Sequence, residues 1–258
     1  MRPNKVKELW RAGKPVMAGW CSTPDTFTAE VMVRGGFDAL ILDMQHGMGI
    51  GPDRAATWLQ VVGQNADVTP FVRVPWNEPS FIQWVLDAGA MGVIIPMVNN
   101  LEDAKKAVGA CRYPPVGYRS NGANRARYVN GADYFDRAND EVICLAMMET
   151  VEGIERLDEI AKLPGLDGYY IGPTDLAISM GLKPALDMKD ARHVAAVQKV
   201  VDVAKAHGQS AGIHVATVEE GIRRWKQGFN LMPICNDIWL LAAGISRNLS
   251  EFREGLDG

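Results

Sequence analysis

The sequence has few cysteines, and they stand far apart. Cys21, Cys111, Cys144 and Cys235 include no C-x-x-C pair, so a zinc ribbon is excluded. A chain of 258 residues that can fill its own core does not need a disulfide framework. The four read as free thiols, buried or half-buried, which predicts a reducing, cytoplasmic setting. Basic excess is also missing. Lys and Arg number 27 against 31 Asp and Glu, a net charge of −4, which argues against nucleic acid as a partner. No apolar run approaches the length of about 18 residues that a membrane span needs. The opening Met1-Arg2-Pro3-Asn4-Lys5 leads into a charged amphipathic segment without the apolar core of a signal peptide. Neither G-x-G-x-x-G nor G-x-x-x-x-G-K-[ST] occurs, and Gly47-Met48-Gly49-Ile50-Gly51 has the wrong spacing and no Lys.

Short apolar runs alternating with helix-period segments fill the chain instead. The runs are Val16–Trp20, Asp38–Asp43, Thr69–Val74, Gly92–Pro96, Val142–Met148, Gly168–Ile171, Gln209–His214 and Asn230–Ile234. Helical patterns follow them, including Asp25–Gly35, Gly51–Asn65, Pro79–Ala88, Leu101–Cys111, Val151–Ala161, Asp190–His207, Thr217–Lys226 and Asp237–Arg253. A long loop is expected from Arg112 to about Gly131. Continuous apolar strands each followed by a helix argue for a parallel sheet. Eight such units predict a (β/α)8 TIM barrel, one domain over residues 1–258. A doubly wound sheet would need the glycine-rich phosphate turn that is missing.

In such a barrel the site lies at the carboxyl ends of the strands. Those ends deliver Trp20, Asp43 with Gln45 and His46, Arg73, Pro96, Glu149, Gly172-Pro173-Thr174-Asp175, His214, and Asn236 with Asp237. No Lys is among them, which disfavours Schiff-base chemistry and leaves a metal as the means of stabilising an enolate. Glu149 and Asp175, from neighbouring strands, suit a divalent cation, or equally a helix cap and a first-turn acid. Asp43, three residues before His46, could hydrogen-bond the imidazole and make it a general base. Arg73, inside an apolar strand, would grip a substrate carboxylate, or else an internal partner, Asp43 or Glu149. The amides after Gly172 open a helix and offer a place for an anionic oxygen. His193 and His207 read as surface or packing residues, whereas His214 could line the pocket.

These residues, in this order, resemble the HpcH/HpaI family of metal-dependent (class II) 2-keto acid aldolases. The resemblance covers nearly the whole chain. It is carried by Ile41-Leu42-Asp43-Met44-Gln45-His46-Gly47, by Phe71-Val72-Arg73-Val74-Pro75 and by the run from Gly89 to Val98. It continues through the run from Tyr113 to Arg119, Met148-Glu149-Thr150 and Ile171-Gly172-Pro173-Thr174-Asp175-Leu176.

The resemblance implies that Glu149 and Asp175 bind Mg²⁺, Mn²⁺ or Co²⁺, which pyruvate chelates. It implies that Arg73 stabilises the enolate oxygen, and that His46, paired with Asp43, moves protons through a water. Backbone amides around Gly172 to Asp175 would hold the pyruvate carboxylate. Trp20, from its place at the end of the first strand, is expected to line the substrate pocket. Asp87 would reach the pocket of a neighbouring subunit, in a hexamer built as a trimer of dimers that swap the last helix. The implied reaction is reversible cleavage of a 4-hydroxy-2-keto acid into pyruvate and an aldehyde. Gln45 stands where the family often has Glu, Met147 where Gln is frequent, and Gly117–Gly122 departs from the commoner Arg-Gly pattern. Two rivals are a Mg²⁺-dependent acyl-CoA or isocitrate-lyase-type lyase on a related barrel, and a binding barrel without chemistry. The former would be expected to show extra basic residues for the nucleotide.

Overall fold

The computed structural model describes residues 1–256. The elements run α1 (Lys5–Arg11), β1 (Val16–Cys21), α2 (Thr26–Arg34), β2 (Ala39–Asp43), α3 (Pro52–Val62), β3 (Thr69–Arg73), α4 (Pro79–Asp87), β4 (Gly92–Ile95) and α5 (Leu101–Cys111). They continue with α6 (Asn124–Asn130), α7 (Tyr134–Glu141), β5 (Ile143–Met148), α8 (Val151–Glu155), α9 (Leu157–Ile160), β6 (Gly168–Ile171) and α10 (Pro173–Ser179). The chain closes with α11 (Ala191–Ala206), β7 (Ser210–Ile213), α12 (Val218–Gln227), β8 (Leu231–Asn236) and α13 (Asp237–Leu256). The eight strands are parallel and close in sequence order, β1 pairing with β8.

Side-chain alternation divides the core into two. Ala39, Ile41, Phe71, Ile94, Leu145, Met147 and Tyr170 fill the barrel interior, while Leu40, Leu42, Val72, Val93 and Ala146 pack outward against the helices. Helices start promptly after strand ends because the sequence supplies their caps. Asp25, Asn100, Thr150 and Thr217 each accept a first-turn backbone N–H, and Pro52, Pro79 and Pro173 open α3, α4 and α10.

Three features differ from the sequence reading. Helix α1 packs Val6 into the interior core, anchored by Asn4, whose Nδ2 donates to the carbonyls of Met91 and Glu141. The long loop after Arg112 contains α6, and α7 follows it. Helix α6 has no apolar stripe to reveal it, and it is docked by Arg125, which donates to the carbonyls of Leu59 and Ala88. The segment Val151–Ala161 is two short helices, α8 and α9, meeting at Arg156. No helix among the described residues is long and apolar enough to cross a membrane.

Candidate active site

A cavity of about 310 Å³ opens at the carboxyl ends of the strands. It brings together Trp20 from β1, Asp43 and His46 from the end of β2, Arg73 from β3, and the turn Gly172–Asp175 after β6. A wider cleft of about 740 Å³ lies at the opposite, amino-terminal face of the barrel. None of the site residues expected from the sequence lines it.

Asp43 and Arg73 are both buried, and they face each other across β2 and β3, which pair in register at these two positions. The carboxylate accepts from Nε at 2.9 Å and from Nη2 at 2.6 Å. It also accepts from Trp20 Nε1 at 3.3 Å. Burial pushes the Asp43 carboxyl up, but the bonds and charge of Arg73 outweigh it and hold the group below the usual range.

The expected bond from Asp43 to the His46 imidazole is not made. Asp43 Oδ1 instead accepts the backbone N–H groups of Gln45 and His46, both at 3.1 Å. A guanidinium presents two coplanar donors matched to a carboxylate, a geometry an imidazole cannot offer. Asp43 therefore fixes the turn that carries His46, while the ring itself is exposed at the cavity mouth.

Glu149, at the end of β5, is 3% exposed. Its Oε1 accepts the N–H of Met97 at 2.7 Å. Met97 sits at φ 54°, the one non-glycine residue of positive φ among those described, so local backbone strain is spent on aiming a donor at this carboxylate. Burial, reinforced by the charge of Asp175, raises the Glu149 carboxyl to about 7. Gly172 makes room beside it. A Cβ there would lie 2.8 Å from Glu149 Oε2 and 2.6 Å from Met147 Cε. Two acidic groups at neighbouring strand ends, one of them destabilised as an anion, fit a hard divalent cation that completes its shell with water or ligand oxygens. No set of three or more His, Cys, Asp or Glu that could hold a metal occurs among the described residues, so the protein's share of such a shell is small.

Asp87 does not line this cavity. It ends α4 and bonds Arg119 Nη2 at 2.7 Å, and Arg119 itself lies over the rings of Tyr113 and Tyr134.

The sequence reading missed two supports. His193, taken as a surface or packing residue, is 1% exposed and bonds the Pro173 carbonyl through Nε2 at 2.9 Å, tying α11 to the turn that carries Asp175. Tyr170 points into the interior, its hydroxyl 3.2 Å from His214 Nδ1. Its place in a continuous apolar run gave no sign of this. His214 does line the cavity.

A parallel eight-stranded barrel with carboxylates, Arg and His at its carboxyl end defines a class of enolate-handling enzymes. The HpcH/HpaI aldolase/citrate lyase family model matches residues 19–233, and the chain belongs to that family. It is 37% identical over 250 residues to a hydroxypyruvate/pyruvate aldolase from Rhizorhabdus wittichii, covering 97% of this chain and 99% of that protein. It is 33% identical over 252 residues to a 4-hydroxy-2-oxo-heptane-1,7-dioate aldolase from Salmonella dublin, covering 96% and 94%. Among solved structures, it is similar to an HpcH/HpaI aldolase/citrate lyase family protein from Burkholderia cenocepacia. The TM-score is 0.89 at 28% identity, with 97% and 99% of the chains covered.

Proposed function

We propose that this protein is a divalent-metal-dependent pyruvate aldolase, cleaving a 4-hydroxy-2-keto acid reversibly into pyruvate and an aldehyde. The observation that carries the reading is the buried Glu149 carboxylate, paired with Asp175 at the same barrel end as the Arg73–Asp43 couple. The names of the two aldolase relatives support the reaction class.

Glu149 and Asp175 would hold the cation. When bound, Mg²⁺, Mn²⁺ or Co²⁺ there supplies Lewis-acid polarisation of the 2-keto group. The first turn of α10, from Gly172 through Pro173 and Thr174 to Asp175, receives the substrate carboxylate. Arg73, fixed by Asp43, presents guanidinium N–H to the keto oxygen as negative charge grows on it. His46, through a water, takes the 4-hydroxyl proton. The C3–C4 bond then breaks, its electron pair passing into the enolate of pyruvate as the aldehyde carbonyl forms. Protonation at C3 gives pyruvate. Trp20 closes the wall beside Arg73, whose guanidinium carbon lies 4.8 Å from the indole centroid.

Assembly belongs to the same proposal. Of the residues of α13 only Asp237 is buried, and Trp239, Leu241, Ile245 and Leu249 are exposed along it. Such a face suits a neighbouring copy, as in a hexamer with exchanged last helices, where Asp87 would complete a partner's cavity. Buried free Cys21, Cys111 and Cys144 suit a cytoplasmic setting.

The test is pyruvate release from a panel of 4-hydroxy-2-keto acids with Mg²⁺, Mn²⁺ and Co²⁺, for wild type and Glu149→Gln. Glu149→Gln should lose more than about 100-fold in turnover. Full activity in excess chelator would refute the metal requirement.

A further inference from the structure

We infer that His214, oriented by Tyr170, selects the aldehyde half of the substrate by donating a hydrogen bond from Nε2 to the hydroxyl of a short hydroxyaldehyde. The inference rests on the aldolase reading and deepens it.

The cavity has two sides. On the aldolase reading, Arg73, Asp175 and the first turn of α10 line the pyruvate half, with Glu149 buried beside Gly172. The polar and aromatic part of the remaining wall includes Trp20, Ser22, Tyr170, His214, Asn236 and Trp239, and carbons from C4 onward would face it. The polar atoms of that wall are nearly all taken. Trp20 Nε1 donates to Asp43. Asn236 Nδ2 donates to Ser22 Oγ at 3.0 Å, and Asn236 Oδ1 accepts the N–H groups of Ile238 and Trp239. The Tyr170 hydroxyl is engaged with His214 Nδ1. Among the described residues, His214 Nε2 has no partner. With Trp239 Nε1 it is one of two open ring nitrogens on that wall, and the one whose ring is held by a second side chain, Tyr170.

The imidazole is held in place. Its ring stands edge-on to Trp20, with centroids 4.7 Å apart at 88°, and to Trp239 at 5.9 Å and 85°. Tyr170 reaches it because β7 carries Gly212 opposite, where a Cβ would lie 2.8 Å from Tyr170 Cδ2. A phenol is a stronger acid than a neutral imidazole N–H, so Tyr170 donates to Nδ1 and the ring proton resides on Nε2. Burial, with Arg73 nearby, keeps the ring neutral down to about 4.

A neutral donor in an aromatic wall discriminates by chemistry. A hydroxyl oxygen satisfies it. An alkyl aldehyde leaves the N–H without an acceptor. A second carboxylate would be buried without a cation, because Arg73 is already matched by Asp43. The acceptor class is therefore a two- or three-carbon hydroxyaldehyde, in preference to an alkyl or ω-carboxy aldehyde.

The experiment measures condensation of pyruvate with glycolaldehyde, propanal and succinic semialdehyde by the full chain with Mn²⁺. Glycolaldehyde and propanal are near-isosteres that differ in the hydroxyl. Wild type should favour glycolaldehyde over both. His214→Phe should lower the glycolaldehyde-to-propanal ratio of kcat/KM about tenfold. His214→Gln, whose amide can donate, should recover much of the ratio, and Tyr170→Phe should give an intermediate loss. Tyr170→Phe carries the same ratio test if His214→Phe does not fold. An unchanged ratio in the variants, or a wild-type preference for propanal or succinic semialdehyde, overturns the inference. Deuterium exchange into the pyruvate methyl by wild type separates the two levels. Exchange with an unchanged ratio sinks the His214 assignment alone. Absence of both exchange and condensation sinks the aldolase reading and this inference together.

Discussion

Asp43 holds Arg73 through both carboxylate oxygens, at 2.9 Å to Nε and 2.6 Å to Nη2. The same Oδ1 accepts the N–H groups that begin the His46 turn. One carboxylate thus sets both the Arg73 guanidinium and the turn that carries His46, the two groups to which the proposed mechanism gives the keto oxygen and the proton. Removing either partner strands the other in a buried site. Arg73→Ala should destabilise the fold by about 3 kcal/mol and cut pyruvate methyl exchange more than about 100-fold. Asp43→Asn should show a smaller stability loss and a comparable loss of exchange. Urea unfolding and deuterium exchange read the two effects, and normal exchange in Arg73→Ala would refute the role given to that residue.

The barrel was legible because burial on both faces leaves its strands as apolar runs, and because caps such as Asp25 and Thr217 and prolines such as Pro52 mark helix starts. The strand-end rule then placed Trp20, Asp43, His46, Arg73 and Asp175 at one cavity. What escaped the sequence depends on contacts far along the chain. Helix α1 needs Met91 and Glu141 to anchor Asn4. Helix α6 needs the carbonyls that receive Arg125. The choice of Asp43 between Arg73 and the His46 ring is decided by donor geometry, which spacing does not encode. His193 looked like a helix-face residue because nothing local shows that its ring reaches the Pro173 carbonyl.

Gly172 is a close-approach glycine with ordinary φ of −93°. Gly172→Ala would push a methyl against Glu149 Oε2, 2.8 Å away. The flexible Met147 end can move, whereas the carboxylate is tied to the Met97 N–H. The variant should lose about 1 to 3 kcal/mol of stability and most of its Mn²⁺ affinity. Calorimetric titration with Mn²⁺ and pyruvate checks it. Wild-type affinity in the variant would show that the space beside Glu149 is not used.

The exposed apolar residues of α13 make assembly testable. If that face joins copies of the chain, as proposed, wild type should sediment as an oligomer in analytical ultracentrifugation and Leu241→Glu combined with Ile245→Glu as smaller species, because charges replace contact area. If Asp87 serves a partner's cavity, chains carrying Asp87→Asn and chains carrying Glu149→Gln should complement when refolded together. Random mixing predicts about a quarter of wild-type sites. No recovered activity would place Asp87 outside the catalytic assembly.

The depressed His214 pKa has a stability consequence with a definite sign. The folded ring protonates only near about 4, whereas an unfolded His does so near about 6.5. Between those values the unfolded chain binds the extra proton, so stability falls as pH falls. The penalty is absent above the unfolded value and complete below the folded one. From pH 7.5 to pH 5 the wild type should therefore lose about 2 kcal/mol relative to His214→Gln, which has no proton to take up. Other groups titrate alike in both proteins, so the difference isolates this ring. Urea midpoints measured in parallel at the two pH values test it. A difference that stays constant with pH would mean that the folded ring protonates as readily as a solvated one, and the neutral Nε2 donor assigned to the cavity wall would have to be abandoned at acidic pH.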